Sequence, residues 1–196
     1  RFYGEGVNDM MKGGAGGDVM YGQLGDEEMH GGDAVDYLAG DAGNDILYGD
    51  AGNDRLVGGN DDDMLYGGTG NDRLIGGNGD DLLIGEEGRD TMTGGIGADT
   101  FGFTTLVDGV DAINSFSFAQ GDRLNITDLL TGFDIGSDDI NDFVEMTGNF
   151  TKTFSVNADG VGDDFVTAFT LTGSVGGSSV QELLDNGTLI VDQTLL

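Results

Sequence analysis

The 196-residue chain contains no Cys, no Pro and no Trp, and has only 7 Lys and Arg against 37 Asp and Glu. Without Cys there is no disulfide, and no thiolate to bind a metal or attack a substrate. The absence of Pro, with Gly never recurring in strict threes, excludes collagen. No apolar run approaches the ~20 residues that span a bilayer, so no membrane insertion is expected. A formal net charge of −30 repels phosphate backbones and anionic headgroups, which argues against nucleic acid as a partner. The single His, with neither H-E-x-x-H nor G-x-S-x-G present, leaves little material for a catalytic constellation. No enzymatic activity is expected. What remains is an acidic protein suited to cations.

Glycine is abundant and unevenly placed. Residues 4–102 hold 28 of the 39 glycines and 22 of the 37 acids, while residues 103–196 carry most of the phenylalanines. This shift places a domain boundary near Gly102, giving 4–102 and 103–196. A nine-residue period runs through the first part. Asp stands at 9, 18, 36, 45, 54, 63, 72, 81, 90 and 99, with Glu27 filling the one gap. A Gly precedes each acid by five residues, from Gly4 to Gly94, and a large apolar residue follows each by two, from Met11 to Phe101. Three columns stay in phase over eleven repeats of the form G-G-x-G-x-D-x-U-x, with U large and apolar. A disordered Gly/Asp linker would not hold that phase.

The chemistry explains the spacing. A G-G-x-G-x-D stretch turns sharply, because Gly tolerates positive φ, and lets backbone carbonyls converge. Calcium is a hard cation taking ~6–8 oxygen ligands from carboxylates and carbonyls. The x-U-x stretch reads as a three-residue strand with U on one face. One buried residue in nine is a thin core for an ordered chain of this length, and stacked carboxylates repel. The metal-free repeats are therefore expected to be disordered and calcium to fold them.

Residues 4–102 resemble the calcium-binding nonapeptides of RTX proteins, which bacteria export by type I secretion. The resemblance implies a mainly all-β fold, a right-handed parallel β-roll with two repeats per turn, followed by a small mixed β-rich C-terminal domain. It also implies an ion between loops 18 residues apart, held by both acids and by loop carbonyls. One edge then pairs Asp18 with Asp36, Asp36 with Asp54, Asp54 with Asp72, and Asp72 with Asp90. The other pairs Asp45 with Asp63, Asp63 with Asp81, and Asp81 with Asp99. Asp9 with Glu27 and Glu27 with Asp45 add two pairs in which Glu is one methylene longer than the pattern requires. The carbonyls implied are those of Gly40, Ala42, Gly43, Gly49, Ala51, Gly52, Gly58, Asn60, Gly67, Thr69, Gly70, Gly76, Asn78 and Gly79. The expected cofactor is Ca2+, at about seven to nine ions. Val7, Ala34 and Asp61 stand where the fourth-position Gly belongs, so distorted or empty ion sites are expected on those loops.

Alternate repeats would build alternate sheets. Ile46, Tyr48, Met64, Tyr66, Leu82 and Ile84 would form an outward apolar patch, expected as a contact surface for the C-terminal segment or another chain. The opposite sheet would show a mixed surface, with Arg55, Arg73 and Thr91.

In the second part, strands are expected at 110–118, 143–147, 150–157 and 165–172. Gly121-Asp122 reads as a turn before a short apolar run, and TLIV as a final strand. Ser179 and Glu182 form a capping box before VQELL, with Gly187 as a helix stop. The stretches GADTFGF, DAINSF, GDRLNITDLL and SSVQELLDNGTLIVD resemble the C-terminal secretion domain of large RTX adhesins. Residues 155–166 resemble an EF-hand loop but lack its last Glu, and read as a hairpin turn. His30, at an outward ninth position, reads as a surface residue.

The resemblance thus implies a calcium-dependent folding and export module of a secreted or cell-surface bacterial protein, an adhesin by its C-terminal layout. Its partners would be calcium and an ABC exporter of the type I machinery. The alternatives are the corresponding region of a secreted protease or lipase, and a direct ligand-binding module. The chain opens inside the pattern at RFYGEG without a starting Met, and so reads as a piece of something longer.

Overall fold

The structure, a computed structural model, describes residues 1–104, 109–126, 129, 144–147, 151–156, 166–174, 183 and 188–190. The strands through residue 102 are β1 (Phe2–Tyr3), β2 (Met10–Ala15), β3 (Val19–Leu24), β4 (Glu28–Asp33), β5 (Tyr37–Ala42), β6 (Ile46–Ala51), β7 (Arg55–Asn60), β8 (Met64–Thr69), β9 (Arg73–Asn78), β10 (Leu82–Glu87), β11 (Thr91–Ile96) and β12 (Thr100–Gly102). Beyond them lie β13 (Asp111–Ser117), β14 (Arg123–Asn125), β15 (Val144–Thr147), β16 (Thr151–Val156), β17 (Val166–Ser174) and β18 (Leu189–Ile190). Each strand expected from the sequence after Gly102 has a counterpart among these. The capping box, the helix it would open and the 155–166 turn lie almost wholly outside the described residues.

Through β14, consecutive strands alternate between two sheets. One runs β1-β3-β5-β7-β9-β11-β13-β17-β16-β15 and the other β18-β14-β12-β10-β8-β6-β4-β2. Two repeats therefore make one turn of a parallel β-roll, and like residues pair across 18 positions, as Leu56 with Leu74 and Leu65 with Leu83. The ladders continue across residue 102, since β13 pairs in parallel with β11 and β14 with β12. Antiparallel pairing enters only at β15–β16 and β16–β17 among the described strands.

The strands are longer than the x-U-x reading allows. Arg55–Asn60 has six residues and takes in the G-G-x of the following repeat. The ladder survives because Gly59 pairs with Gly77 while both sit at positive φ, 137° and 133°. That region suits residues without a Cβ. At the fourth position Ala34 and Asp61 adopt φ of 81° and 75° and keep the left-handed turn despite the side chain, whereas Val7 is not at positive φ. A non-Gly residue pays on the order of 1–2 kcal/mol there.

The U column forms the core. Met20, Met29, Leu38, Leu47, Leu56, Leu65, Leu74, Leu83, Met92 and Phe101 are fully buried between the sheets. Ile113 and Leu124 extend the column, pairing with Met92 and Phe101. Outside, like residues stack along the axis. His30, Tyr48 and Tyr66 lie face to face, with centroids 4.6 and 5.0 Å apart. Met64 is exposed and Ile46, Tyr48, Tyr66 and Leu82 are half-buried, but Ile84 is buried. It lies over Gly102, whose missing side chain leaves room for it. The expected patch is thus shorter by one residue.

Candidate metal centre

Each turn presents a G-G-x-G-x-D loop at both edges of the roll, and the 18-residue stride stacks the acids in two columns. Along one edge, the Asp18 N–H donates to Asp36 Oδ1 at 2.6 Å, Asp36 to Asp54 at 2.7 Å, Asp54 to Asp72 at 2.7 Å and Asp72 to Asp90 at 2.7 Å. Along the other, Glu27 donates to Asp45 at 2.8 Å, Asp45 to Asp63 at 2.8 Å, Asp63 to Asp81 at 2.9 Å and Asp81 to Asp99 at 3.1 Å. One carboxylate oxygen of each acceptor is thereby fixed on the preceding loop.

The other oxygen is not satisfied by the protein. Among the described residues, Oδ2 of Asp36, Asp45, Asp54, Asp63, Asp72, Asp81, Asp90 and Asp99 is buried without a hydrogen-bond partner, as are both oxygens of Glu27. Buried polar atoms are ordinarily paired, because desolvation without compensation is costly. These atoms share one environment. A Cβ built on Gly67 would stand 2.6 Å from Asp72 Oδ2 and 2.6 Å from the Gly85 carbonyl oxygen. At Gly31 the same construction meets Asp36 Oδ2 at 2.5 Å and Gly49 O at 2.7 Å. At Gly22 it meets Glu27 Oε2 at 2.5 Å and Gly40 O at 2.6 Å. First-position glycine is therefore required by space rather than by φ. A carboxylate oxygen and a carbonyl oxygen from the next turn converge on a volume that a methyl group would fill.

Other loop carbonyls named from the sequence lie along the same stack. Those of Ala42, Asn60 and Thr69 accept the amides of Gly25, Gly43 and Gly52. Those of Gly52, Gly70 and Gly79 abut Gly70, Gly88 and Gly97 one turn on. At Gly40, Gly58 and Gly76 the nearest atom to an added Cβ is Oδ2 of the loop's own acid, Asp45, Asp63 or Asp81. Ala51 and Asn78 sit in the ladders. Among the described residues no three Asp, Glu or His side chains converge, so any coordination sphere needs other oxygens, such as carbonyls or water.

Electrostatics match. Burial pushes the carboxyls up, Asp63 to about 8, Asp72, Asp81 and Glu27 to about 7, and Asp54, Asp90 and Asp99 to about 6. Asp36 and Asp45 shift the same way for the same reason. The amide donors oppose the rise at the aspartates, and neighbouring carboxylates add to it. The columns thus lack positive charge. Divalent cations with a taste for oxygen fit them.

Three comparisons with known proteins bear on this geometry. The family model of the RTX calcium-binding nonapeptide repeat (4 copies) matches residues 3–36, 30–65 and 66–101, just over half of the chain. The chain belongs to the RTX calcium-binding repeat family. Among solved structures, the RTX chain is similar to the AlgE6R3 subunit from the Azotobacter vinelandii mannuronan C5-epimerase, at 22% identity and a TM-score of 0.35, over 92% of this chain and 82% of that one. No curated protein matches. Among the described residues no helix is long and apolar enough to cross a membrane.

The amino-terminal acids sit less deeply in the RTX roll. Asp9 and Asp18 are half-buried, and Asp9 Oδ2 accepts the Glu5 amide of its own loop at 3.2 Å. At the other end two acids continue the columns beyond the repeats. Asp90 N–H donates to Asp111 Oδ1 at 2.9 Å and Asp99 N–H to Asp122 Oδ1 at 3.2 Å. The nine-residue period does not show this continuation, because the spacing widens to 21 and 23 residues. The available signal was an acid two residues before a buried apolar residue, Asp111 before Ile113 and Asp122 before Leu124. Asp122 Oδ2 also accepts the Ser117 amide at 2.7 Å. With both oxygens held by amides, Asp122 closes its column.

Proposed function

We propose that this chain is a calcium-folded export module of a bacterial secreted or cell-surface protein. The observation that carries this reading is the row of buried, partnerless carboxylate oxygens, each beside a first-position Gly. Calcium would supply the missing positive charge and take the remaining oxygen lone pairs. The chain's own residues do the rest. Asp18, Asp36, Asp45, Asp54, Asp63, Asp72, Asp81, Asp90 and Asp99 offer Oδ2 into the cradles, and the carbonyls of Gly40, Gly49, Gly67 and Gly85 close them from the next turn. Asp9 and Glu27 extend one column, for about seven to nine ions in all.

Where calcium is scarce, repulsion within the columns and a core one residue wide keep the repeats open, which suits passage through an ABC exporter of the type I machinery. Where calcium is abundant, loop after loop closes, and a folded roll cannot slide back. Residues 103–196 serve as cap and export signal, and the exported protein is an adhesin rather than an enzyme. The role is structural, since every deeply buried acid in the roll belongs to a column.

The test is secretion of the full chain through a type I exporter, at low and millimolar external calcium. Asp→Asn at 54, 63, 72 and 81 should abolish calcium-dependent folding and slow release. An unchanged secretion rate in a variant that no longer folds would contradict the export role.

A further inference from the structure

We propose that the residue before each repeat acid forms a second, metal-independent column that positions neighbouring loops for calcium. This position is variable in the nonapeptide pattern, and nothing in the repeat chemistry requires it. On one edge it carries Asn8, Asp26, Asn44, Asp62 and Asp80. Their side-chain Oδ1 atoms accept the backbone amides one turn on. Asp26 N–H donates to Asn8 at 3.0 Å, Asn44 to Asp26 at 2.9 Å, Asp62 to Asn44 at 3.0 Å, Asp80 to Asp62 at 2.8 Å and Ala98 to Asp80 at 2.7 Å. These bonds run opposite in direction to those of the repeat acids, where the earlier amide donates to the later carboxylate. Adjacent loops are thus stitched in both directions by side chains one residue apart. The stitch needs an acceptor oxygen and no charge, since both Asn and Asp serve in it.

The two edges are unequal. On the opposite edge the same position holds Gly17, Val35, Asn53, Asn71 and Arg89. Only Asn71 N–H to Asn53 at 2.7 Å and Arg89 N–H to Asn71 at 3.0 Å are made there. The first turns of that edge lack the clip, and Val35 presents an exposed apolar side chain in its place. In the folded roll one edge is therefore clipped at every turn, while the first turns of the other depend on the repeat acids and calcium alone.

Asp62 and Asp80 also border a cleft of about 410 Å³ with Met64, Leu82 and Arg123, so their charge invites a different reading, as ligands for a cation in that cleft. Conservative variants separate the two. The proposal rests on calcium-driven folding, so the wild-type chain is titrated with calcium beside a triple and a double variant. N44A/D62A/D80A removes three acceptors; D62N/D80N keeps all three acceptors and removes the same two charges. If ordinary hydrogen bonds are lost and their cost is shared across about seven cooperative ions, the alanine variant needs roughly twofold more calcium at the midpoint. Its ion count is unchanged, and the asparagine variant stays at the wild-type midpoint or below it. Val35→Asn, which supplies a missing acceptor to the Asn53 amide, should lower the midpoint. Equal midpoints for the alanine and asparagine variants, or a loss of ions in both, overturn the proposal. If the wild-type chain is folded in chelator, the calcium-switch reading fails instead, and the same variants are compared by thermal midpoint, with alanine below asparagine. A chain that is coil with and without calcium overturns both.

Discussion

The Asp54 N–H donates to Asp72 Oδ1 at 2.7 Å, while Asp72 Oδ2 lies buried beside Gly67 with no donor. One side chain therefore does two things. It ties its loop to the turn before and leaves a negative oxygen facing the turn after. Repeated at each acid along the columns, that division makes a stack that is held together by amides and opposed by its own charge.

Asp72→Asn separates these roles. Asn keeps an acceptor for the Asp54 amide but withdraws the charge from the pairs with Asp54 and Asp90. In calorimetric titration the variant should bind up to two fewer ions, with the rest of the roll intact by circular dichroism. An unchanged ion count would remove Asp72 from the site.

Gly67 has an ordinary φ, so alanine there strains no backbone and only fills the cradle. Gly67→Ala should delete one ion and destabilise the calcium-loaded roll by about 1–3 kcal/mol, as overpacking does. Chemical denaturation with the ion count in parallel checks both effects.

The carboxyl shifts carry a sign. Burial raises these acids above their ordinary value of 3.8, to between about 6 and about 8 for Asp54, Asp72 and Asp63. The folded chain then holds protons that the unfolded chain releases, so the metal-free roll is most stable below about pH 4 and loses stability as pH rises towards 8. In chelator, acidification should increase β-structure. In calcium the order reverses, because protons compete with the ion. Far-UV spectra against pH in the two conditions read this out, and a metal-free chain that gains structure with rising pH would contradict it.

Leu65 is fully buried and pairs with Leu47 and Leu83 along the core column. Leu65→Ala should cost about 2–5 kcal/mol in saturating calcium. Met64→Ala, at a side chain 45% exposed on the same strand, should stay within about 0.5 kcal/mol. Denaturant midpoints compare the two directly.

Much of this roll is legible in the sequence. An acid and an apolar residue two apart, repeated every nine, mark the repeats and the core column, while the stride of 18 and the alternation of sheets follow from the resemblance to RTX nonapeptides. Three features escape it. The strands run on through Gly58, Gly59 and Asn60 because ladder pairing depends on backbone freedom, which a polar/apolar pattern does not show. Asp111 and Asp122 keep the acid-to-apolar spacing but lose the nine-residue phase, so a search for period passes over them. The Asn44–Asp62–Asp80 stitch is hidden because either Asn or Asp serves there and Val35 or Arg89 stand in the equivalent places on the other edge. Its requirement is an oxygen, and residue type records that only loosely.

The most direct test of the account is a far-UV circular dichroism titration of the full chain, starting in chelator and adding calcium, with magnesium as control. The account predicts a coil in chelator that turns cooperatively to β-structure with calcium and not with magnesium. A chain that is already fully β-structured in chelator at neutral pH, and indifferent to calcium, would contradict it.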